Sequence, residues 1–325
     1  MHLAAGIIGY RNHSLKIIRF LLKEKKISKI FVYCYKSTIY QKKLLEKKNK
    51  KIIYVNKLDD LKKSKLFFIT SPSVTHTYYI KKLLFYKRPI FCEKPGFSSL
   101  SQYHFLKKLK NINKKRIYFN YNLLHSKLFE LVKKETENDR LINISVNSCI
   151  GISFLKKFKN NWRFTSNNGL ERIAGNLGVH HVNFSISLLG NLKGYCIAES
   201  AIANNKKKID TASINLNFSN NSTANFFLSY AAPMTDRIEF YFSNKIIFYE
   251  NGSIYEIGPR NIFDKCGLFK RPKKKLIHKF VINLSEDSLF ASINFFIKTV
   301  FENKNFKVAY FNNALAAGKL FLKSV

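Results

Sequence analysis

The segment Ile90-Phe91-Cys92-Glu93-Lys94-Pro95-Gly96 decides how the rest of this sequence is read. Three consecutive apolar residues make the end of a buried strand, and an acid, a base, a proline and a glycine then stop it at once. Proline carries no N–H for the ladder of a central strand, so the strand must finish here. Open α/β sheets place their ligands at the carboxyl ends of their strands, which is where Glu93 and Lys94 stand. A solvated charged turn is the plainer reading of the same residues. The surroundings have to choose between the two.

Upstream, residues 4–9 form a short apolar strand that runs into Gly9-Tyr10-Arg11-Asn12-His13-Ser14. Leu15, Ile18, Leu21 and Leu22 then recur at helical spacing over 15–25. Further strands are predicted at 30–35, 52–55, 66–70, 89–92 and 116–121, with helices at 39–48, 75–85 and 98–109 between them. Strands alternating with helices in this way predict a parallel, doubly wound sheet. After residue 122 the rhythm changes. A helix at 124–135 leads to the alternation Ile142, Ile144, Val146, and a long helix is predicted near 172–189. Closely spaced strands follow at 211–218, 223–230, 238–242, 245–249 and 253–257, joined by Asn- and Gly-containing turns. That is the pattern of antiparallel pairing. Closing helices are expected at 289–301 and 310–322. The fold class is therefore α/β: a dinucleotide-type domain over 1–122, then an α+β domain with a mostly antiparallel open sheet over 123–325.

Composition narrows the function classes. Lys and Arg number 57 against 20 Asp and Glu, a formal net charge of +37 in 325 residues. Such an excess raises a polyanion-binding reading. The lysines are scattered over predicted helix faces, however, among an excess of Asn, Ile and Phe, and compositional bias explains them most simply. A nucleic-acid partner is not expected. The compact cluster Lys270-Arg271-Pro272-Lys273-Lys274-Lys275 reads as a loop between strands. No run approaches the roughly 18 to 20 apolar residues of a membrane span, and the start moves into a strand without a basic leader. The cysteines at 34, 92, 149, 196 and 266 are odd in number, dispersed and without C-x-x-C spacing. Buried thiols in a reducing cytoplasm are expected from them, with no metal site and no membrane association.

The turn after the first strand is the natural phosphate site. A G-x-G-x-x-G turn uses its glycines for the turn, for approach to a pyrophosphate and for helix packing. Here those positions read Gly9, Arg11 and Ser14. Gly9, Arg11 and Asn12 are the expected cofactor contacts, with helix N-terminal amides facing the anion. A plain strand-to-helix turn is the alternative. At the end of the second strand, Tyr35-Lys36 replaces the acid that would hold a ribose 2′-hydroxyl, so Lys36 leans the site towards NADP over NAD. Ser71-Pro72-Ser73-Val74-Thr75-His76 follows the fourth strand. It puts Ser71, Pro72 and His76 at the same sheet edge, with a purely structural histidine as the alternative. In the helix near 172–189, Asn176, His180, Asn183 and Ser187 fall at i, i+4, i+7 and i+11. Apolar residues wall this polar stripe on both sides, so it faces a cleft or makes buried hydrogen bonds.

With these pieces placed, the chain resembles the Gfo/Idh/MocA family of NAD(P)-dependent oxidoreductases over nearly its whole length. The resemblance rests on Gly6-Ile7-Ile8-Gly9, on Ser71-Pro72-Ser73-Val74-Thr75-His76 and on Glu93-Lys94-Pro95. It rests too on Trp162-Arg163 and on Asn176-Leu177-Gly178-Val179-His180-His181-Val182-Asn183, which matches the family's D-x-G-x-H-x-x-D. It implies a Rossmann domain, NAD or NADP as cofactor, and hydride transfer at a hydroxyl carbon of a sugar, polyol or related metabolite. It also implies a homo-oligomer formed through the C-terminal sheet. In such an enzyme Lys94 polarises the reacting oxygen, Glu93 belongs to the cofactor side, and Trp162, Arg163 and Asn183 belong to the substrate side. The family's helix Asp is Asn176 here, which cannot titrate, so the acid/base role is expected of His180 with Asn176 as its orienter. The competing reading is a catalytically degraded relative that binds a nucleotide or sugar.

Overall fold

A computed structural model describes residues 2–10, 12–34, 49–158, 168–203 and 209–322. The expected helix at 39–48 and the residues Arg11, Lys36, Trp162 and Arg163 lie outside them. The chain divides into two units, Met1–Tyr121 with Ser292–Ala316, and Asn122–Ala291 with Ala317–Val325.

The first unit is built on six parallel strands: β1 (Leu3–Ile8), β2 (Ile27–Tyr33), β3 (Ile52–Val55), β4 (Leu66–Ile69), β5 (Ile90–Glu93) and β6 (Ile117–Asn120). Their order is β3-β2-β1-β4-β5-β6, so the strand order reverses between β1 and β4. The connections carry α1 (Asn12–Lys23), α2 (His76–Leu84), α3 (Leu100–Lys107) and the short α4 (Asn111–Lys114). All four residues of β4 and all four of β6 are buried, which is why these strands read as continuous apolar runs. β5 ends at Glu93, two residues before the proline. The doubly wound sheet is as the sequence indicated.

The second unit holds α5 (Lys127–Glu135), β7 (Leu141–Cys149), α6 (Ile173–Leu189), β8 (Leu192–Ser200), β9 (Thr211–Phe218) and β10 (Thr223–Ser229). β11 (Thr235–Phe242), β12 (Ile246–Glu250), β13 (Ser253–Ile257) and β14 (Lys274–Lys279) complete its sheet, ordered β14-β13-β12-β11-β7-β10-β9-β8. Every neighbouring pair is antiparallel except β7 with β10, so the sheet is mostly antiparallel, as expected. Lys274 and Lys275, read from sequence as part of a loop, open the edge strand β14. α6 packs on β9 and β10, and Gly178 is what lets it come so close. A Cβ there would stand 2.7 Å from the Ile214 Cδ1 atom and 3.1 Å from Leu228 Cδ1.

The closing helices α7 (Leu284–Phe301) and α8 (Val308–Lys319) do not stay in one unit. A single cut at residue 122 is replaced by a chain that returns, because Ser292–Ala316 completes the core beneath β4, β5 and β6. Phe296 packs on Phe68 and Phe91 with ring centroids 5.3 and 5.4 Å apart, and Phe306 stacks on Phe296 at 5.4 Å. Offset and edge-on ring pairs of this kind add to the burial of the aromatic surface itself. Among the cysteines, Cys92 and Cys149 are buried, Cys34 is half-buried, and Cys196 and Cys266 are exposed, so thiol burial holds for part of the set. No helix of the described residues is long and apolar enough to cross a membrane.

Candidate active site

Hydrogen bonds tie together the carboxyl ends of β1, β4, β5 and β6. Gly9, just past β1, has φ +113°, and a Cβ there would lie 2.9 Å from Thr70 Oγ1 and 3.0 Å from the Ser71 amide nitrogen. Any side chain would fill the gap between the β1 and β4 exits, so glycine is required by both conformation and space. The Thr70 hydroxyl donates to the Ile8 carbonyl at 2.9 Å and shares a 2.7 Å bond with the buried Ser14 hydroxyl. Ser14, at the third fingerprint position, thereby replaces glycine packing with a hydrogen bond. Asn12 opens α1, whose N-terminus faces this edge.

The turn after β4 is fixed by a histidine. His76 is buried, its Nδ1 2.7 Å from the Pro95 carbonyl and its Nε2 2.7 Å from the Ser71 carbonyl. Burial holds the ring below its ordinary pKa although both carbonyls favour the charged form. A neutral ring donates to one of the two oxygens. His76 therefore joins the β4 exit to the Glu93-Lys94-Pro95 turn as a structural brace, while Ser71 is half-buried and Pro72 exposed.

Glu93 is engaged on both sides. Its Oε1 accepts from His13 Nε2 at 2.8 Å and from Asn120 Nδ2 at 2.8 Å. Burial alone would raise its pKa, but His13, the Asn120 amide and Lys94 together hold the carboxyl below the usual range. Lys94 follows it, half-buried, at the end of the strand.

In the second unit α6 is buried almost all round, and Asn176, Leu177, His180, Ser187 and Leu188 are its half-exposed positions. Asn176, His180 and Ser187 of the polar stripe, with Leu177 and Leu188 of one apolar flank, are therefore the helix's open side, and the flank of Val179, Val182, Ile186 and Leu189 is packed. Asn176 Nδ2 donates to the Tyr230 hydroxyl at 2.8 Å, and Tyr230 is wholly buried, so the amide is held by a fixed partner. His180 has Nδ1 shielded from solvent. His181, the next residue, turns inward to pack on Phe226 with centroids 5.8 Å apart.

Asn183 departs from its neighbours on the stripe. It is 0% exposed, and neither of its amide atoms has a hydrogen-bond partner. Seven residues carry it about 20° behind Asn176 around the helix axis, enough to take it under the helix, where it reaches no solvent. A buried amide with nothing to bond destabilises. Asn183→Leu, which keeps the branching and heavy-atom count of the side chain, should therefore raise stability by about 1–2 kcal/mol. A thermal melt checks this, and an equal loss of stability would show that the amide has a role the geometry does not reveal.

Sequence reasoning missed His13, Thr70, Asn120 and Tyr230. Asn120 and Thr70 had a signal, since each is a polar residue ending an apolar strand. His13 and Tyr230 had none, because their roles depend on partners 80 and 54 residues away. Among the described residues, no three His, Cys, Asp or Glu side chains gather as metal ligands.

Residues 144–248 match the model of the GFO/IDH/MocA C-terminal domain. No curated protein sequence matches the chain. Among solved structures, a UDP-N-acetylglucosamine 3-dehydrogenase from Acidithiobacillus ferrooxidans superposes with a TM-score of 0.76 at 11% identity, over 99% of this chain and 97% of that one. A myo-inositol dehydrogenase from Corynebacterium glutamicum gives 0.77 at 14% identity, over 98% and 94%. A 3-ketoreductase from Actinomadura kijaniata, in complex with NADP and TDP-benzene, gives 0.75 at 14% identity, over 99% and 96%. At these identities the likeness is one of fold. The domain match bears out the resemblance over residues 144–248, and the fold is the one that the resemblance implies.

Proposed function

We propose that this chain, whose residues 144–248 belong to the Gfo/Idh/MocA C-terminal domain family, is an NAD(P)-dependent oxidoreductase acting on a hydroxyl carbon of a sugar, polyol or related metabolite. The observation that carries the reading is the β1–β4–β5 edge. Gly9 leaves a cradle that a Cβ would fill at the β1–β4 strand reversal, α1 points its N-terminus at the same edge, and Glu93-Lys94 closes it one strand further on, at the end of β5. Those features fit a dinucleotide, whose pyrophosphate is stabilised by helix N-terminal amides. The bound nicotinamide supplies the hydride acceptor or donor.

The chain's own residues then have separable tasks. Gly9, Ser71 and Pro72 line the cofactor edge, with Arg11, Asn12 and Lys36 proposed for its phosphates. Lys94 places an ammonium at the reacting oxygen, where it stabilises developing negative charge. His180 takes or returns the hydroxyl proton at Nε2, since its Nδ1 is shielded. Asn176, fixed by Tyr230, orients the substrate beside it, and Trp162 and Arg163 complete that side. We place the protein in the cytoplasm.

We further propose that a second copy covers the outer face of the C-terminal sheet. In a chain of net charge +37 this face is internally balanced: Arg237 bonds Glu239 at 2.7 Å and Glu250 at 2.9 Å, and Lys274 reaches Glu250 at 3.5 Å. Asn143, Asn225 and Asn215 form an amide ladder across β7, β10 and β9, with 2.7 Å bonds at each step. A face without excess charge meets its own copy without repulsion.

The deciding measurement is a nicotinamide fluorescence titration. NADPH should bind, and about tenfold more tightly than NADH if Lys36 meets the 2′-phosphate. Binding of neither would overturn the oxidoreductase reading and favour a relative that kept the fold for another ligand.

A further inference from the structure

His13 occupies none of the three fingerprint positions, yet it links two strand ends that are not neighbours. It stands in the first turn of α1, and its 2.8 Å bond to Glu93 runs from the β1 exit to the β5 exit, with β4 between them in the sheet. Beyond Glu93 the hydrogen bonds continue inward. Asn120 Oδ1 accepts from the Ser292 hydroxyl at 2.7 Å, and Ser292 shares a 3.0 Å bond with the Tyr118 hydroxyl. Asn120, Ser292 and Tyr118 are all buried. His13 differs from them, with a side chain 46% exposed against 13% for Glu93. The carboxylate is thus anchored beneath by a neutral amide that does not titrate and held above by a ring that can change charge in response to solvent.

We infer that His13 is a positioning residue of the proposed oxidoreductase: its ring, clamped on Glu93, sets the turn that presents Lys94, and the clamp is tightest when the ring is charged. The consequence for Lys94 rests on the functional reading above, whereas the clamp itself rests on geometry. Among the described residues, the charged groups acting on the ring are Glu93, which raises its pKa most, and Lys16 and Lys94, which with burial oppose it. The balance leaves His13 above its ordinary value, and the N-terminus of α1 is a further opposing influence. A histidine raised in this way contributes stability that is full below its unfolded value and is lost as pH rises through the folded one. Loosening of the Glu93-Lys94 turn should follow the same limb.

Two readouts test this without a known substrate. The His13 ring, followed by NMR, should titrate above the ordinary histidine range, and Glu93→Gln should lower it by about one pH unit. The rate at which acetic anhydride labels Lys94, read by mass spectrometry, should change about threefold beyond the lysine's own titration as pH crosses the His13 value. In His13→Gln, which keeps a donor and removes the charge, that break should vanish while the NADPH dissociation constant stays within about twofold. A His13 titration unmoved in Glu93→Gln, or a labelling break that survives in His13→Gln, overturns the clamp. Weaker NADPH binding in His13→Gln with the break intact overturns it in favour of a phosphate contact. Failure of the wild-type protein to bind NADPH would count against the oxidoreductase reading, and the titration would still decide the clamp.

Discussion

Replacing Lys94 with Met should lower kcat by about a thousandfold on whichever substrate a sugar and polyol screen returns, with NADPH affinity unchanged. Met keeps the length and apolar stem of the side chain and removes its ammonium, so it isolates the charge. Lys94 is half-buried at the end of β5, and the frame that holds the turn, His13–Glu93–Asn120, does not pass through its side chain. Folding should therefore be intact, and a thermal melt would verify it. An ammonium stabilises developing charge on oxygen only when the site is reached by a donor in fixed geometry, which is why Arg should not rescue it: the guanidinium is planar and bulkier. Turnover within about threefold of wild type would remove Lys94 from the reaction. Loss of NADPH binding would instead make it a cofactor contact.

How much of this was legible in the sequence differs by element. Strands β4, β5 and β6 are buried on both faces, and a buried parallel strand announces itself as an uninterrupted apolar run. The polar stripe on α6 was equally visible, because a 3.6-residue period sorts a helix into faces. Its resolution ends where Asn183 begins: a side chain about 20° off the stripe falls within the scatter of any periodic reading, and only packing decides that it is buried. The edge strands were the hardest to see. β8 is half-exposed to exposed along its whole length, and β14 carries three lysines and two exposed apolar residues in place of a clear alternation. Sheet edges are kept charged and irregular, which removes the pattern by which strands are recognised. The return of Ser292–Ala316 to the first unit was invisible for another reason. It depends on Phe296 meeting Phe68 and Phe91, partners more than 200 residues away in the chain, with Phe306 stacked on Phe296. The same holds for His13 and Glu93, where sequence showed two polar residues and the fold made them a pair.

His180→Ala should abolish measurable turnover, a loss of at least about a hundredfold to ten-thousandfold, the range general acid–base groups contribute. Removing hydride from an alcohol leaves a proton to dispose of, and the groups near His180 on α6 cannot take it: Asn176 has no titratable proton, and its amide is committed to the Tyr230 hydroxyl at 2.8 Å. Asn183 is sealed under the helix, and Ser187 has an alcohol of its own, far too weak a base at neutral pH. The burden therefore falls on the imidazole. Asn176→Ala supplies the contrast, since it removes an orienting amide and should cost about tenfold in kcat with the pH profile unchanged in shape. His180→Ala should remove the limb of that profile along with the activity, and leave NADPH binding intact, because Gly9, Ser71 and Glu93 all belong to the other unit. If His180→Ala turned over normally, the proton would have to leave through another group. If instead Asn176→Ala were the more damaging change, orientation rather than proton transfer would be the helix's main contribution to catalysis.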